Sequence, residues 1–235
     1  MKRLGVLLLC LCFGLQASKN QELFLQANNA YLKHDLDHAL ALYEQIVSKG
    51  PAVWFNMAHV YYQKEDYLNA LIHYKKAKQG AMLQTLQDIE KQVAQTQKKL
   101  QVVEQKGWFE KFTNSAFELV GLLPLLPLQL LCLLSAFLLA ISIMLWKKRH
   151  QYVLFGIIFL SSSILLYLKY LSMHRISGVA TAQTDVFVGP RKEFHSVAKL
   201  TPGTSILIKK RSDDWYQIRG TGLSGWVSAD TITLL

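Results

Sequence analysis

Two long apolar runs, packed between Leu119 and Met173 and separated by one short basic knot, constrain this chain more than any other feature. The first run, Leu119–Trp146, carries no charged residue, and its cleanest part, Leu128–Trp146, is 19 residues long. The second, Tyr152–Tyr170, holds a single lysine, Lys169, near its far end. About 20 apolar residues of helix cross the roughly 30 Å hydrocarbon core of a bilayer, so each run is long enough to span. Soluble core helices seldom stay uncharged over such lengths. Lys147, Lys148, Arg149 and His150 sit between the runs. Dense positive charge in a short loop marks the cytoplasmic side. The expectation is a two-helix transmembrane hairpin: residues 119–146, a basic loop 147–151, then residues 152–173. Both flanking regions then lie on the outer side.

The formal charge of +10 would suggest nucleic acid if it were gathered on one soluble face. It is not gathered. Residues 1–17 carry +2, residues 18–106 +2, residues 107–175 +4 and residues 176–235 +2. The excess follows the membrane flanks, so nucleic acid is not expected as a partner. The three cysteines, Cys10, Cys12 and Cys132, all fall in apolar segments. The regions outside the membrane therefore have neither a disulfide framework nor thiolate chemistry.

Lys2 and Arg3 precede the apolar run Leu4–Leu15, and Gln16-Ala17-Ser18 opens a polar stretch. That is the layout of a secretory signal over residues 1–17, with cleavage expected after Ala17 or, uncleaved, a third short anchor. Either way residue 20 onward lies outside, in agreement with the basic loop.

Residues 19–80 hold an internal repeat of period 31. Ala27, Tyr31, Asp35, Ala39, Leu40 and Tyr43 recur as Ala58, Tyr62, Asp66, Ala70, Leu71 and Tyr74. The pattern predicts four helices, near residues 20–33, 36–48, 52–64 and 67–79, whose alanines let neighbours approach closely. Trp54, Met57-Ala58, Tyr61, Ala70, Tyr74 and Ala77 resemble the tetratricopeptide repeat, with Pro51 closing the first unit. Two such units bury little surface alone, so a partner is expected from residues 81–106. There Met82, Leu86, Ile89, Val93, Leu100 and Val103 follow 4-3 spacing, broken by Thr96. Two readings stand: a capping helix on the second repeat, or a seam that pairs with another copy of the chain. Gly107 is read as the end of that helix. Residues 107–118, with Trp108-Phe109-Glu110-Lys111-Phe112, form an interfacial segment, and Pro124 and Pro127 delay or kink the first span.

Residues 177–235 change character. Val179–Val188, Ser205–Lys210, Trp215–Ile218 and Gly225–Val227 are short β-branched or aromatic runs, punctuated by glycine, proline and aspartate. Such spacing predicts a small all-β barrel. Val186-Phe187-Val188-Gly189-Pro190, Leu200-Thr201-Pro202-Gly203-Thr204, Asp213-Asp214-Trp215-Tyr216-Gln217-Ile218 and Gly225-Trp226-Val227 resemble the bacterial SH3-like domain. Phe187 stands where that family often has arginine, so no ligand role tied to the arginine transfers.

The fold class expected is thus a multi-domain membrane protein: an all-α helical repeat, a transmembrane hairpin and a C-terminal SH3-like barrel. That order resembles the BatE-type proteins of bacterial aerotolerance operons. The resemblance implies an inner-membrane protein with both soluble units in the periplasm. It also implies work beside other Bat membrane proteins that carry von Willebrand A-like domains.

No His-Glu-x-x-His, Gly-x-Ser-x-Gly or phosphate-cradling glycine loop occurs, so neither an enzyme nor a cofactor is expected. His34, Asp35, Asp37 and His38 have the residue types of a metal site, but they straddle a turn where such side chains cap and face water. Function is expected instead on the concave face of the repeats, at Phe24, Asn28, Phe55, Asn56, His59 and Tyr62. Asn28, Asn56 and His59 offer hydrogen bonds to a peptide, and the aromatics offer apolar contact or simply core packing. On the barrel, Trp226 reads as core, while Trp215 or Tyr216, whichever strand alternation turns outward, reads as a ligand surface. The second function expected is therefore recognition of peptidoglycan by this barrel.

Overall fold

The computed structural model describes residues 19–102, 108–145, 149–220 and 223–235. The signal segment, Val103, Gly107, the first residues of the basic loop, and Thr221-Gly222 fall outside that set.

The helical region opens with α1 over residues 19–32, followed by α2 (Leu36–Gln45), α3 (Pro51–Gln63), α4 (Tyr67–Gln79) and α5 (Leu83–Lys99). The 31-residue period of the sequence is repeated in three dimensions, down to single atoms. His34 and Glu65, 31 apart, both take positive φ, 60° and 61°, at the turn between paired helices. The next residue in each unit, Asp35 or Asp66, caps the following helix by accepting from the backbone N–H of His38 or Asn69. Ala27 and Ala58, and likewise Ala39 and Ala70, are wholly buried, small side chains at equivalent places in the two units. Tyr43 and Tyr74 fill the same slot in successive units.

Two helix ends differ from expectation. The second helix was expected to run to residue 48 and stops at Gln45. Ile46 turns to an extended conformation, and Lys49 Nζ donates to the freed carbonyls of Glu44 and Ile46 at 2.9 and 2.7 Å. Helix α5 was expected to reach Gly107 and ends at Lys99. Gln101 adopts φ 55° and the Val102 N–H bonds back to the Gln97 carbonyl, a left-handed helix stop made without glycine. Helix α5 packs on the preceding hairpin through Ile89, Leu86 and Val93 against Ala77, Ala81, Trp54 and Phe55. Thr96 sits in that seam fully buried, its hydroxyl satisfied by the Gln92 carbonyl at 2.7 Å.

Helix α6 (Trp108–Leu122) stops before Pro124, whose missing N–H cannot continue it, and α7 (Leu125–Leu145) starts beyond, with Pro127 in its first turn. Helix α8 (Arg149–Met173) returns antiparallel beside α7. The stretches Leu125–Met144 and Val153–Met173 are long and apolar enough to cross a membrane, and only 17% and 11% of their apolar windows are buried in the protein. A soluble core helix would be mostly buried, whereas these present leucine, isoleucine and phenylalanine outward. Between them runs a polar seam: Ser135 and Ser162, both buried, meet with their hydroxyls at 3.0 Å. Lys169, also buried, donates to the Gly121 carbonyl at 2.5 Å, one of the carbonyls left unpaired where α6 ends. Arg175 lies over the Phe117 ring at 4.4 Å, tying α6 to the C-terminal end of α8.

Residues 176–234 form one antiparallel sheet of seven described strands. They are β1 (Ile176–Ala180), β2 (Thr184–Phe187), β3 (Ser196–Leu200), β4 (Ser205–Ser212), β5 (Trp215–Gly220), β6 (Leu223–Ser228) and β7 (Ile232–Leu234), in the order β3-β2-β6-β5-β4-β1-β7. Ala180, Val186, Leu200, Ile206, Tyr216, Ile218, Val227 and Ile232 make a single core to which every strand contributes, so the sheet curls around it. The turn before β4 meets the helical region. Gly203, at φ 86° after Pro202, is a position only glycine fits: a Cβ there would lie 2.9 Å from Val102 and 3.3 Å from Leu100. Lys75 of α4 hydrogen-bonds Ser205 beside it.

Candidate binding cleft

The first helices of the two units, α1 and α3, leave an open cleft of about 290 Å³ lined by Asn28, Tyr31, Leu32, Asn56 and His59. Its polar floor is built by the packing beneath. The Asn28 carbonyl oxygen accepts from the Tyr43 hydroxyl at 2.5 Å and from the Asn56 amide at 2.9 Å. Both lone pairs of that oxygen are thereby used, and the hydrogen-bonding capacity the two amides retain lies on Asn28 Nδ2 and Asn56 Oδ1. One donor and one acceptor complement one peptide group. In the second unit His59 takes the place of Asn28, and its Nδ1 lies 3.1 Å from the hydroxyl of Tyr74, the counterpart of Tyr43. Burial pushes the Tyr74 phenol well above its ordinary range and pulls His59 below the usual imidazole value. A protonated phenol facing a neutral imidazole satisfies both when the phenol donates to Nδ1, which leaves the His59 Nε2–H as a donor.

Of the six residues expected on this face, Asn28, Asn56 and His59 come together in the cleft. The other three are used elsewhere. Phe24 packs on Tyr43 with ring centroids 6.1 Å apart, and Phe55 stands edge-on to His59 and Tyr74 at 4.6 and 5.6 Å, so both act as packing. Tyr62 stacks edge-on against Tyr67 at 5.3 Å. Tyr31 and Leu32 were missed, although Tyr31 is the period-31 partner of Tyr62 and so was marked in the sequence. Leu32, 73% exposed, is the apolar lip of the cleft. The His34–His38 stretch resolves into a turn residue, a helix cap and an Asp37–Lys64 ion pair.

A second histidine is half-buried in the same hairpin. His73 lies between the rings of Trp54 and Tyr61, 5.4 and 4.8 Å away, with Nδ1 2.8 Å from the Asn69 carbonyl. Burial, reinforced by the positive charge of Lys76, holds its pKa low despite the backbone hydrogen bond. Both histidines thus bind a proton more weakly folded than unfolded. The unfolded chain takes up protons first as pH falls below 6.5, so stability is complete above that value and is lost toward the lower folded values. We expect the unfolding midpoint of the helical region, followed by far-UV circular dichroism, to drop on acidification below pH 6.5 and to flatten in His59→Gln/His73→Gln.

On the sheet, strand parity separates the two residues expected as a ligand surface. Tyr216 pairs with Val227 and points inward, 8% exposed, so it belongs to the core and not to a ligand surface. Trp215 faces outward and meets the Phe187 ring edge-on at 5.6 Å. Trp226, expected in the core, is partly exposed; it pairs with Gln217 and Phe187 on the outer face. The large buried aromatic is Tyr216. Phe187, Trp215 and Trp226 therefore share the outside of β2, β5 and β6. Among the described residues no cluster of three or more histidine, cysteine or acidic side chains is placed to hold a metal.

Residues 182–233 match the family model of the bacterial SH3 domain, which covers β2 through most of β7. No curated protein matches the chain.

Proposed function

We propose that this protein is a non-enzymatic, membrane-anchored adaptor whose helical repeats bind a protein partner as an extended peptide segment. The observation that carries the reading is the Asn28–Asn56 amide pair, hydrogen-bonded to each other and to Tyr43 and lining an open cleft. The His59 donor and the exposed Leu32 lip extend that cleft. In this reading the units are tetratricopeptide-like, and α7 and α8 cross the bacterial inner membrane with their basic connection inside. An even number of crossings puts the repeats and the SH3 domain on the same, periplasmic, side. The contact of Gly203 and Ser205 with α4 and the end of α5 supports that placement, since the units can touch only there. The domain order further supports a BatE-type role, with von Willebrand A-like Bat proteins as partners in an aerotolerance or stress complex. Self-association is a further reading of the same surfaces.

A photoreactive residue replacing Leu32 in the intact chain tests the cleft. Capture of one periplasmic or membrane protein, reduced about tenfold in Asn28→Ala/Asn56→Ala, is the expected result for a loss of 1–2 kcal/mol. Equal capture in the double variant contradicts it. The second reading, peptidoglycan recognition, rests on the SH3 match and the outer Phe187–Trp215–Trp226 face. Retention of the whole protein on purified murein, abolished by Trp215→Ala, would favour it.

A further inference from the structure

Between α7 and α8 lies a groove of about 510 Å³, apart from the serine seam, lined by Leu125, Gln129, Cys132, Ser163, Leu166, Tyr167, Tyr170, Met173 and His174. It opens toward the lipid side, for Tyr167, Tyr170 and Met173 are exposed. Along α8 it runs from Ser163 to His174, which at 1.5 Å per residue is about 16 Å. One leaflet of hydrocarbon is about 15 Å deep. The groove is therefore one leaflet long, and its wall is mostly apolar, with the paired Cys132 and Ser163 at the deep end, Gln129 between, and His174 at the mouth.

Strand register then brings positive charge to that end. β1 starts at Ile176, two residues beyond His174, and Ile176 pairs with Ile208 of β4. Because the strands are antiparallel, Lys209 and Lys210 follow Ile208 on the side from which Arg175 enters β1, and the register shift between Ile208 and Lys210 takes Lys209 out of simple strand alternation. Both lysines are exposed. The hairpin's acids, Asp213 and Asp214, lie beyond them in the β4–β5 turn. His174 Nδ1 is engaged by the Tyr170 carbonyl at 2.8 Å, so its Nε2 is the nitrogen left to meet a ligand.

Resting on the membrane-spanning reading above, we propose that this groove and its basic mouth bind one anionic phospholipid of the outer leaflet. An acyl chain lies along α7 and α8, and the headgroup phosphate sits at the junction of His174, Lys209 and Lys210. A transmembrane helix of a partner would want a long unbroken face, whereas this groove ends at mid-membrane and carries its charge at one end only.

The test is native mass spectrometry of the full chain in detergent, titrated with dioleoyl phosphatidylglycerol or dioleoyl phosphatidylcholine. Tighter binding of phosphatidylglycerol is expected, and Lys209→Gln and Lys210→Gln should each weaken it roughly 5-fold. Ser163→Phe, which fills the deep end, should reduce adducts of both lipids. These exposed lysine substitutions leave the fold intact, so they remain decisive if Ser163→Phe misfolds. Equal affinity for the two lipids, or a lysine double variant indistinguishable from the parent chain, overturns the proposal. So does a dimer that excludes lipid from the groove. Extraction of the parent protein from membranes by alkaline carbonate would instead refute the spanning reading on which the site rests.

Discussion

Tyr74→Ala should destabilise the helical region by about 3–5 kcal/mol, among the largest losses a single substitution can cause there. The ring is fully buried, stands edge-on to Phe55 and His59 at 5.6 and 5.4 Å, and joins the second helix of its unit to the first. Truncation leaves a cavity between two helices in a core cluster shared with the fully buried Ala58 and Ala70, whose small side chains cannot fill it. Tyr74→Phe removes only the hydroxyl and should cost about 1 kcal/mol, while freeing His59 to rotate in the cleft. Amide hydrogen exchange in α3 and α4 of the full chain measures both. Protection unchanged in the alanine variant would mean that this packing does not hold the hairpin together.

The second large effect is expected at Gly225→Ala. A Cβ there would sit 2.5 Å from Val186 Cγ1 and 2.7 Å from the Phe187 carbonyl oxygen. Val186 is wholly buried and the oxygen is backbone, so neither can swing aside. The methyl must push β2 away from β6, where the pairing is confined to Phe187 with Trp226. We expect a loss of about 1–3 kcal/mol and a changed near-ultraviolet signal from Trp215 and Trp226. Ser224→Ala, on an exposed neighbour, serves as the control. An unaltered unfolding midpoint and spectrum in the glycine variant would contradict the close approach of these strands.

Much of this architecture could be read from residue spacing, for identifiable reasons. The period of 31 was visible because the repeated positions are ones where only certain side chains work. These are alanine where helices touch, aspartate where a helix begins, and tyrosine in the slot between helices. The two long apolar helices were visible because a charge-free run of 19 residues stands out against the rest of the chain. Helix ends were less legible. Gln101 in a left-handed conformation and Lys49 folded onto two carbonyls are stops made by residues with no strong preference for stopping. The six residues expected on the concave face divide in the structure. Asn28, Asn56 and His59 line the cleft, but whether an aromatic such as Phe55 lines a cleft or packs below it depends on which neighbour it meets, and periodicity does not encode that. Trp226 is the instructive case. The Gly-Trp-Val pattern drew attention to the largest side chain, yet parity decides. Val227 and Ile218 are the buried members of their strands, which turns Trp226 and Gln217 outward and Tyr216 inward.

The membrane-anchored adaptor and the lipid groove depend on one claim: that α7 and α8 form a membrane hairpin with the repeats and the SH3 domain on its outer side. The most direct measurement is labelling of single cysteines with a membrane-impermeant maleimide in intact and permeabilised cells, in a full chain whose native cysteines are replaced by serine. Exposed Ser48→Cys and Ser224→Cys report the two soluble units, and His150→Cys reports the basic connection. The account predicts that the first two react once the outer envelope is opened, while the third reacts only after the inner membrane is breached. Protection of either soluble unit alone, or labelling of position 150 together with them, would contradict it.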